Sequence, residues 1–270
     1  MNISDWGCSR QNPSWTLFVQ GTRLLLLFPL LLGICSCGSP EIVFNYPEEE
    51  LDFKLRNLNT PAVYMGSVRD LRPIEQKRGS GHFFTITYPK EGAWAVDPAA
   101  VYADALAQDL VQTHLVELVP LRAQADYVLS ADLLSLGCKF RRSWNSFLVP
   151  SSLGFATGLA LGKDTSDRLN VGAVLGAVAM MAVPMSSSNQ AEAEVRLTLK
   201  DRTGNILWQE TCLGEVYDKV YVTATSRQDQ ELVDDFLPKA VKRCNACLVG
   251  QLRQIMIDLG SVTVSDGASE

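Results

Sequence analysis

The chain has 270 residues, a net charge of −6 and a pI near 5.1, and 47% of its residues are hydrophobic. Nucleic-acid binding depends on a basic surface, which this composition does not supply, so we expect no nucleic-acid partner. The length and apolar content are sufficient for one large domain or two small ones with a real core.

The N-terminal segment carries the features of a signal peptide. Arg10 and Arg23 precede an apolar run at residues 24–34 (LLLLFPLLLGI), which is too short to span a bilayer stably as a helix. The run leads directly to Cys35 and Cys37. We therefore predict a lipoprotein signal peptide at residues 1–36, removed from the mature chain.

The end of this segment resembles a bacterial lipobox, because an aliphatic residue and a small residue precede a cysteine. The resemblance implies that Cys37 is the lipidated first residue, with palmitate among its acyl chains; Cys35 is the alternative, but bulky Ile34 precedes it. Gly38 follows Cys37 in place of the Asp that retains many such proteins at the inner membrane. We expect an outer-membrane anchor, since two or three acyl chains suffice without a spanning helix, and a domain facing the periplasm.

The chain after the anchor divides by composition. Residues 37–60 contain Pro40, Pro47 and the acidic run 48–50, which predict a solvated tether. Residues 61–260 are predicted to form the periplasmic domain, and residues 261–270 a disordered tail.

The first elements of the domain are a strand, a small hairpin and a helix. Residues 62–68 are rich in strand formers, and residues 72–97 read as a loop with a short strand at 83–88. Asp97 can cap a helix that has Pro98 at its first position, and an apolar stripe predicts that this helix runs to about Val119. A strand is predicted at 126–136, continuing towards Phe140.

A glycine-rich insert, assigned to residues 145–190, then interrupts the sheet. Small residues at a spacing of four place one narrow face on each of two helices, the arrangement used for close helix pairing. The polar tip at 163–168 and the prolines Pro150 and Pro184 predict a helical hairpin. Membrane contact, self-association and folding back over the domain are the three alternatives. The predicted helix-pairing residues are Gly154, Gly158, Gly162, Gly172 and Gly176.

After the insert, residues 191–200 alternate between apolar and polar side chains, and residues 206–216 form the hairpin partner across a turn at 201–205. A closing helix is predicted from a cap at Asp234 or Asp235 to Leu259. The order of elements predicts an α+β fold, a mostly antiparallel sheet with two helices packed on one face and the glycine-rich helical hairpin inserted between strands.

The stretches QADYVLSADLLSL at 124–136 and AEAEVRLTLKDRTGNILWQETCLGEV at 191–216, with the closing helix, resemble the small α+β domain of Gram-negative envelope lipoproteins. Curli-secretion-channel lipoproteins and ABC-transport auxiliary lipoproteins are among them. The resemblance implies an assembly or docking module that carries no reaction, with envelope proteins as partners.

Four cysteines of the predicted domain are candidates for redox, metal or disulfide chemistry. A C-x-x-C at Cys244 and Cys247 falls in mid-helix on the core stripe, whereas a redox pair needs its first cysteine at a helix N-terminus. Zinc needs two more ligands, and the sequence has no second C-x-x-C or H-x-x-H. We predict buried small side chains; the alternative is a disulfide from Cys244 or Cys247 to Cys138 or Cys212.

The remaining candidates for chemistry are weak. His82 and His114, the two histidines, lack the context of a nucleophile, and His114 is predicted to continue the stripe of the first helix. The Arg141–Arg142 pair is predicted to be solvated, with contact to a phospholipid headgroup as the alternative. We predict no catalytic residue, cofactor or metal.

The leading hypothesis is therefore a non-enzymatic, lipid-anchored docking protein of the cell envelope, whose hairpin contacts the membrane or forms a homo-oligomer. The alternative is an oligomeric secretion or channel-forming lipoprotein, although the spanning parts of the curli channels resemble β-hairpins and this insert does not. An envelope hydrolase or thiol oxidoreductase is the third hypothesis.

Overall fold

The computed structural model describes residues 41–51, 60–82, 84–182, 185–222 and 226–259. The predicted signal peptide, the candidate lipidation sites Cys35 and Cys37, and the predicted tail at 261–270 lie outside the described residues.

In the residues that the structure describes, seven strands form one mixed sheet. They are β1 Ala62–Asp70, β2 Ser80–His82, β3 Thr85–Tyr88, β4 Glu117–Leu118, β5 Tyr127–Arg142, β6 Met185–Asp201 and β7 Ile206–Val222. The long strand β5 pairs on one side with β6, which pairs with β7, and on the other side with β1 along its first half and with β3 along its second half. The pairs β1–β4 and β1–β5 are parallel and the other pairs are antiparallel. The mostly antiparallel α+β fold predicted from the sequence is confirmed.

The described residues form five α-helices: α1 Ile74–Arg78, α2 Pro98–Gln112, α3 Trp144–Leu161, α4 Thr165–Ala182 and α5 Ser226–Asp258. Two of them cover one face of the sheet. Helix α2 packs on β1, and α5 packs on β6, β7 and α2. The inward positions of β6 alternate along the strand and are fully buried against α5, as its sequence pattern predicts.

Helix α2 begins as predicted and ends earlier than predicted. The Asp97 side chain accepts a hydrogen bond of 3.0 Å from the Ala99 amide. The helix stops at Gln112 instead of Val119, because the Thr113 hydroxyl bonds back to the Asp109 carbonyl and His114 takes a left-handed φ of 52°. His114 therefore does not continue the stripe. The chain turns there to place β4 beside β1.

Helix α5 begins at Ser226, so neither Asp234 nor Asp235 caps it. Asp234 accepts hydrogen bonds from the Val43 amide and the Gln230 side chain, while Asp235 pairs with Lys239 one turn later. Strand β6 begins at Met185 and β7 continues to Val222. The long ladder between them takes up the last residues of the segment that the sequence assigns to the insert.

The turn between β6 and β7 is closed by Asp201. Its carboxylate accepts hydrogen bonds from the Thr203 hydroxyl at 2.6 Å and from the Asn205 backbone and side-chain amides, both at 2.9 Å. These bonds lower the pKa of Asp201 to about 2. Gly204 has a φ of 96°, which favours glycine. The pattern D-x-x-G in this hairpin is thus a requirement of the turn.

Residues 41–51, which the sequence assigns to the tether, lie against the domain as an extended N-terminal strap. The Ile42 amide donates to the Ala93 carbonyl at 2.8 Å, and Ile42 and Leu51 are buried. Phe44 stacks on Tyr46 and contacts the Trp94 ring. The apolar side chains of the strap alternate with exposed ones, so one edge of this segment packs like a strand.

The strap, α2 and α5 meet at a buried polar cluster around Asp109, which is fully buried. Its carboxylate accepts hydrogen bonds from Lys242, from the Tyr46 hydroxyl and from Asn245 at 2.9 Å. The Tyr102 hydroxyl donates to Asn245 at 2.9 Å. Burial and the charge of Asp109 raise the pKa of Tyr46, so Tyr46 stays a neutral donor.

Replacing Asp109 with Ala leaves the Lys242 ammonium buried without its partner. We expect the free energy of unfolding to fall by about 3–5 kcal/mol, measured by urea denaturation. Asp235→Ala is the matched control on α5, the helix that carries Lys242, because the pair of Asp235 with Lys239 is half exposed and contributes at most about 0.5 kcal/mol. Equal losses in the two variants would contradict a structural role for the cluster.

Candidate functional site

The candidate site is the glycine-rich hairpin formed by α3 and α4, inserted between β5 and β6. Each helix has 18 residues, a length of about 27 Å. Helix α3 contains no charged residue, and α4 carries Asp167 and Arg168 in its first turn. Pro150 lies inside α3 and does not close the base as predicted, because α3 begins at Trp144.

The predicted glycines line the contact between the two helices of the hairpin, and Gly158 and Gly172 meet each other there. A methyl carbon built on Gly154 would lie 2.5 Å from the Leu175 carbonyl oxygen, and one built on Gly158 would overlap the Gly172 backbone. Gly162 ends α3 against the start of α4. The spacing of four therefore allows the two helix backbones to approach each other, and the glycine faces are used inside one chain.

Apart from Phe155, whose ring packs over Gly172, the exposed large apolar side chains of the hairpin point away from this contact. Among the hairpin residues whose burial is described, the buried ones are Gly158, Gly162, Gly172 and Gly176. Leu153 is 64% exposed and Leu161 is 67% exposed. The other exposed large apolar side chains are Trp144, Leu148, Val149, Phe155, Leu169, Val174 and Val178. The hairpin therefore presents apolar surface on its outer sides, and Trp144 at its base packs against Phe84, next to β3.

The tip of the hairpin is polar and internally bonded. The Asp167 carboxylate accepts from the Lys163 amide at 3.1 Å, and the Arg168 guanidinium donates to the Gly162 carbonyl at 3.0 Å. None of the helices in the described part of the chain combines the length and apolarity needed to cross a membrane.

The base of the hairpin lies next to a buried ion pair between Arg142 and Asp229. We call these two residues, together with Tyr88, the hairpin root. The Arg142 guanidinium donates to Asp229 at 2.5 Å, and both side chains are less than a tenth exposed. The Tyr88 hydroxyl donates to the same carboxylate at 3.4 Å. Burial raises the pKa of Asp229, against the lowering effect of Arg142. No pattern in the sequence predicts this pair: Arg141 is exposed as predicted, whereas the Arg142 side chain is buried.

The structure separates the four candidate cysteines. Cys212 of β7 and Cys247 of α5 form a disulfide with a Cα–Cα distance of 6.1 Å. Cys138 and Cys244 are buried free thiols, and burial raises the pKa of Cys244 to about 12 and that of Cys138 further. The two cysteines of the C-x-x-C therefore have different roles: Cys244 is a core residue, and Cys247 is cross-linked to Cys212. The prediction of buried side chains fits Cys244, and the disulfide alternative describes Cys247.

The other residues singled out from the sequence stay apart. His82 lies in β2 and His114 follows α2 in an exposed position. In the ranges that the structure describes, no group of three or more His, Cys, Asp or Glu side chains is arranged to hold a metal ion.

Comparisons with known proteins give only distant similarities. No family model matches the chain, and no curated protein matches it. A Xanthomonas campestris protein of the family DUF330 has a similar structure with a TM-score of 0.41 and 10% identity, covering 83% of this chain and 97% of its own.

A hypothetical protein from Chlamydia trachomatis has a TM-score of 0.36 and 10% identity, covering 74% of this chain and 99% of its own. A homolog of a neuraminyllactose-binding hemagglutinin from Helicobacter pylori has a TM-score of 0.36 and 9% identity, covering 81% and 99%. All three similar structures come from bacteria. Structural similarities as distant as these do not assign a function.

We predict that Gly158→Ala forces the two hairpin helices apart, because the added methyl would overlap the Gly172 backbone. Overpacking of this kind costs about 1–3 kcal/mol, and hydrogen exchange of the hairpin amides should speed up accordingly. Gly176→Ala is the matched control, since its methyl would lie 3.2 Å from the Ser151 carbonyl and need only a small adjustment. Equal exchange in both variants would refute the glycine contact.

We predict that the Cys212→Ser/Cys247→Ser double variant loses about 2–4 kcal/mol of unfolding free energy, because the cross-link closes a loop of 35 residues. Urea denaturation measures the loss. Reducing agent should lower the stability of the parent protein and leave that of the double variant unchanged. A parent protein insensitive to reduction would contradict the prediction.

Proposed function

We propose that this protein is a non-enzymatic docking or assembly lipoprotein of the bacterial cell envelope. It is anchored in the outer membrane through Cys37, faces the periplasm, and uses its hairpin to contact a membrane or another copy of the chain. The observation that carries the proposal is the hairpin itself, in which glycines are buried and large apolar side chains are exposed.

The energetic argument concerns the outer sides of the hairpin. Full burial of one large apolar side chain contributes about 1.5–3 kcal/mol, and nine such side chains of the hairpin are exposed. Their burial against an apolar surface is worth on the order of 10 kcal/mol. Soluble monomers rarely expose large contiguous apolar patches, and such patches mark membrane or protein contacts.

Two further observations support the proposal. The disulfide between Cys212 and Cys247 suits an oxidising compartment such as the periplasm. We propose a non-enzymatic role because the thiols that the sequence offered for chemistry are part of the fold: two are cross-linked to each other, and the pKa of Cys244 is raised to about 12 by burial. A thiol of this kind is almost wholly protonated and is a poor nucleophile.

We expect a variant with Leu153, Leu161, Leu169 and Val174 all changed to Ser to lose the apolar contact while keeping every glycine of the helix pair. The protein released from its anchor should then need less detergent to stay soluble, and light scattering should show smaller particles. A matched variant carries Ser at Ile206, Leu207 and Leu121, which are exposed elsewhere.

The matched variant should behave like the parent protein. If detergent dependence and particle size are unchanged in the hairpin variant, the proposal is contradicted. Ring-shaped particles of the parent protein in detergent would instead favour an oligomeric secretion lipoprotein.

A further inference from the structure

We infer that the partner of the hairpin is lipid: the hairpin lies in the leaflet that holds the acyl anchor, in the plane of the headgroups and upper acyl chains. This inference rests on the proposed function and names one partner for the surface described there. It follows from where the strap and the hairpin leave the domain.

The strap begins at the N-terminal end of α5. The Glu41 carbonyl accepts a hydrogen bond of 3.1 Å from the Gln230 side chain, and the Val43 amide donates to Asp234 at 3.1 Å. Gln230 lies in the second turn of α5, which begins at Ser226. The first described residue of the strap is therefore held at that end of the helix.

The hairpin leaves the domain at the same place. Asp229, the neighbour of Gln230 in α5, binds Arg142 at the end of β5, two residues before α3 begins. The Ser143 amide bonds to the Ser186 carbonyl at the start of β6, at 2.9 Å. A single turn of α5 thus touches both the start of the strap and the root of the hairpin.

The covalent reach of the chain connects this end of the domain to the anchor. Glu41 follows Cys37 by four residues, and four residues span at most about 14 Å when fully extended. Each hairpin helix is about 27 Å long. A lipidated Cys37 therefore keeps the base of the hairpin within reach of the bilayer surface.

The chemistry around the base suits a headgroup layer. Lys139 and Arg141, two residues apart on the outer face of β5, are exposed there, and each basic residue near an anionic membrane surface contributes about 1 kcal/mol. Trp144 at the base is 52% exposed and packs against Phe84. Tryptophan is enriched at the membrane interface, where its ring is half apolar and half polar.

The charged tip favours an orientation along the surface. Lys163, Asp167 and Arg168 would be costly at the centre of a bilayer, and no described helix is long and apolar enough to cross one. A second copy of the chain is a poorer partner, because the glycine faces that permit close helix pairing are already occupied within the hairpin.

The test uses the full, lipidated protein in vesicles of phosphatidylcholine and phosphatidylglycerol. An environment-sensitive fluorophore is attached through Leu161→Cys or Leu153→Cys on the hairpin. Leu121→Cys is the matched control, since Leu121 is 58% exposed and precedes β5 at the opposite end of the sheet. We expect the two hairpin labels to rise in intensity about twofold or more, as in an interfacial helix, and the control label to stay unchanged.

Quenching by spin-labelled lipids then measures how deep the hairpin labels lie in the bilayer and whether lipid is the partner of the hairpin. A nitroxide near the headgroup should quench the hairpin labels more than one at the chain end; the reverse order would overturn the in-plane placement. Hairpin labels that stay unchanged in vesicles, or unlabelled hairpin cysteines that form disulfides between copies, would overturn the inference. Mass spectrometry of the N-terminal peptide tests the anchor separately, so an unmodified Cys37 would count against the proposed function and not against contact between hairpin and lipid.

Discussion

The arrangement of the domain depends on the ion pair and the hydrogen bonds that the buried carboxylate of Asp109 makes. A buried charge needs its partners in place, so Lys242 and Asn245 of α5 and Tyr46 of the strap must meet α2 at one point. That requirement fixes α5 along its axis. Because the same helix is cross-linked to β7 and touches the hairpin root, its position sets where the strap and the hairpin leave the domain.

Apolar residues that repeat every two or every 3.6 positions were sufficient to predict the strands and helices that pack against apolar partners. The alternation in β6, the cap at Asp97 and the core stripe of α5 all appear in the structure. The start of α5 was predicted too late, because its first two turns are held by polar contacts such as Asp229 with Arg142. The partners in that pair are 87 residues apart in the chain, and apolar periodicity carries no signal for them.

The glycine spacing illustrates a second limit of sequence reasoning. It correctly indicates a face for close approach, and the structure brings those faces together within one hairpin. It does not say which surface remains outside, since that depends on whether the helices pair within or between chains. Once α3 and α4 use their glycines on each other, Leu153, Leu161 and their neighbours must point outward. The apolar outer surface is therefore a consequence of the glycine contact.

In the proposed arrangement, the acyl anchor and the hairpin are two attachments to one surface. When one attachment binds, the second binds as an intramolecular step at a high effective concentration, so even a weak hairpin contact is populated. Two attachments joined by the rigid body of α5 also restrict rotation of the domain, which one flexible anchor would not do. The face of the sheet opposite α2 and α5 would then keep a constant direction relative to the membrane. A constant orientation is what a docking protein needs to present one face to its partners.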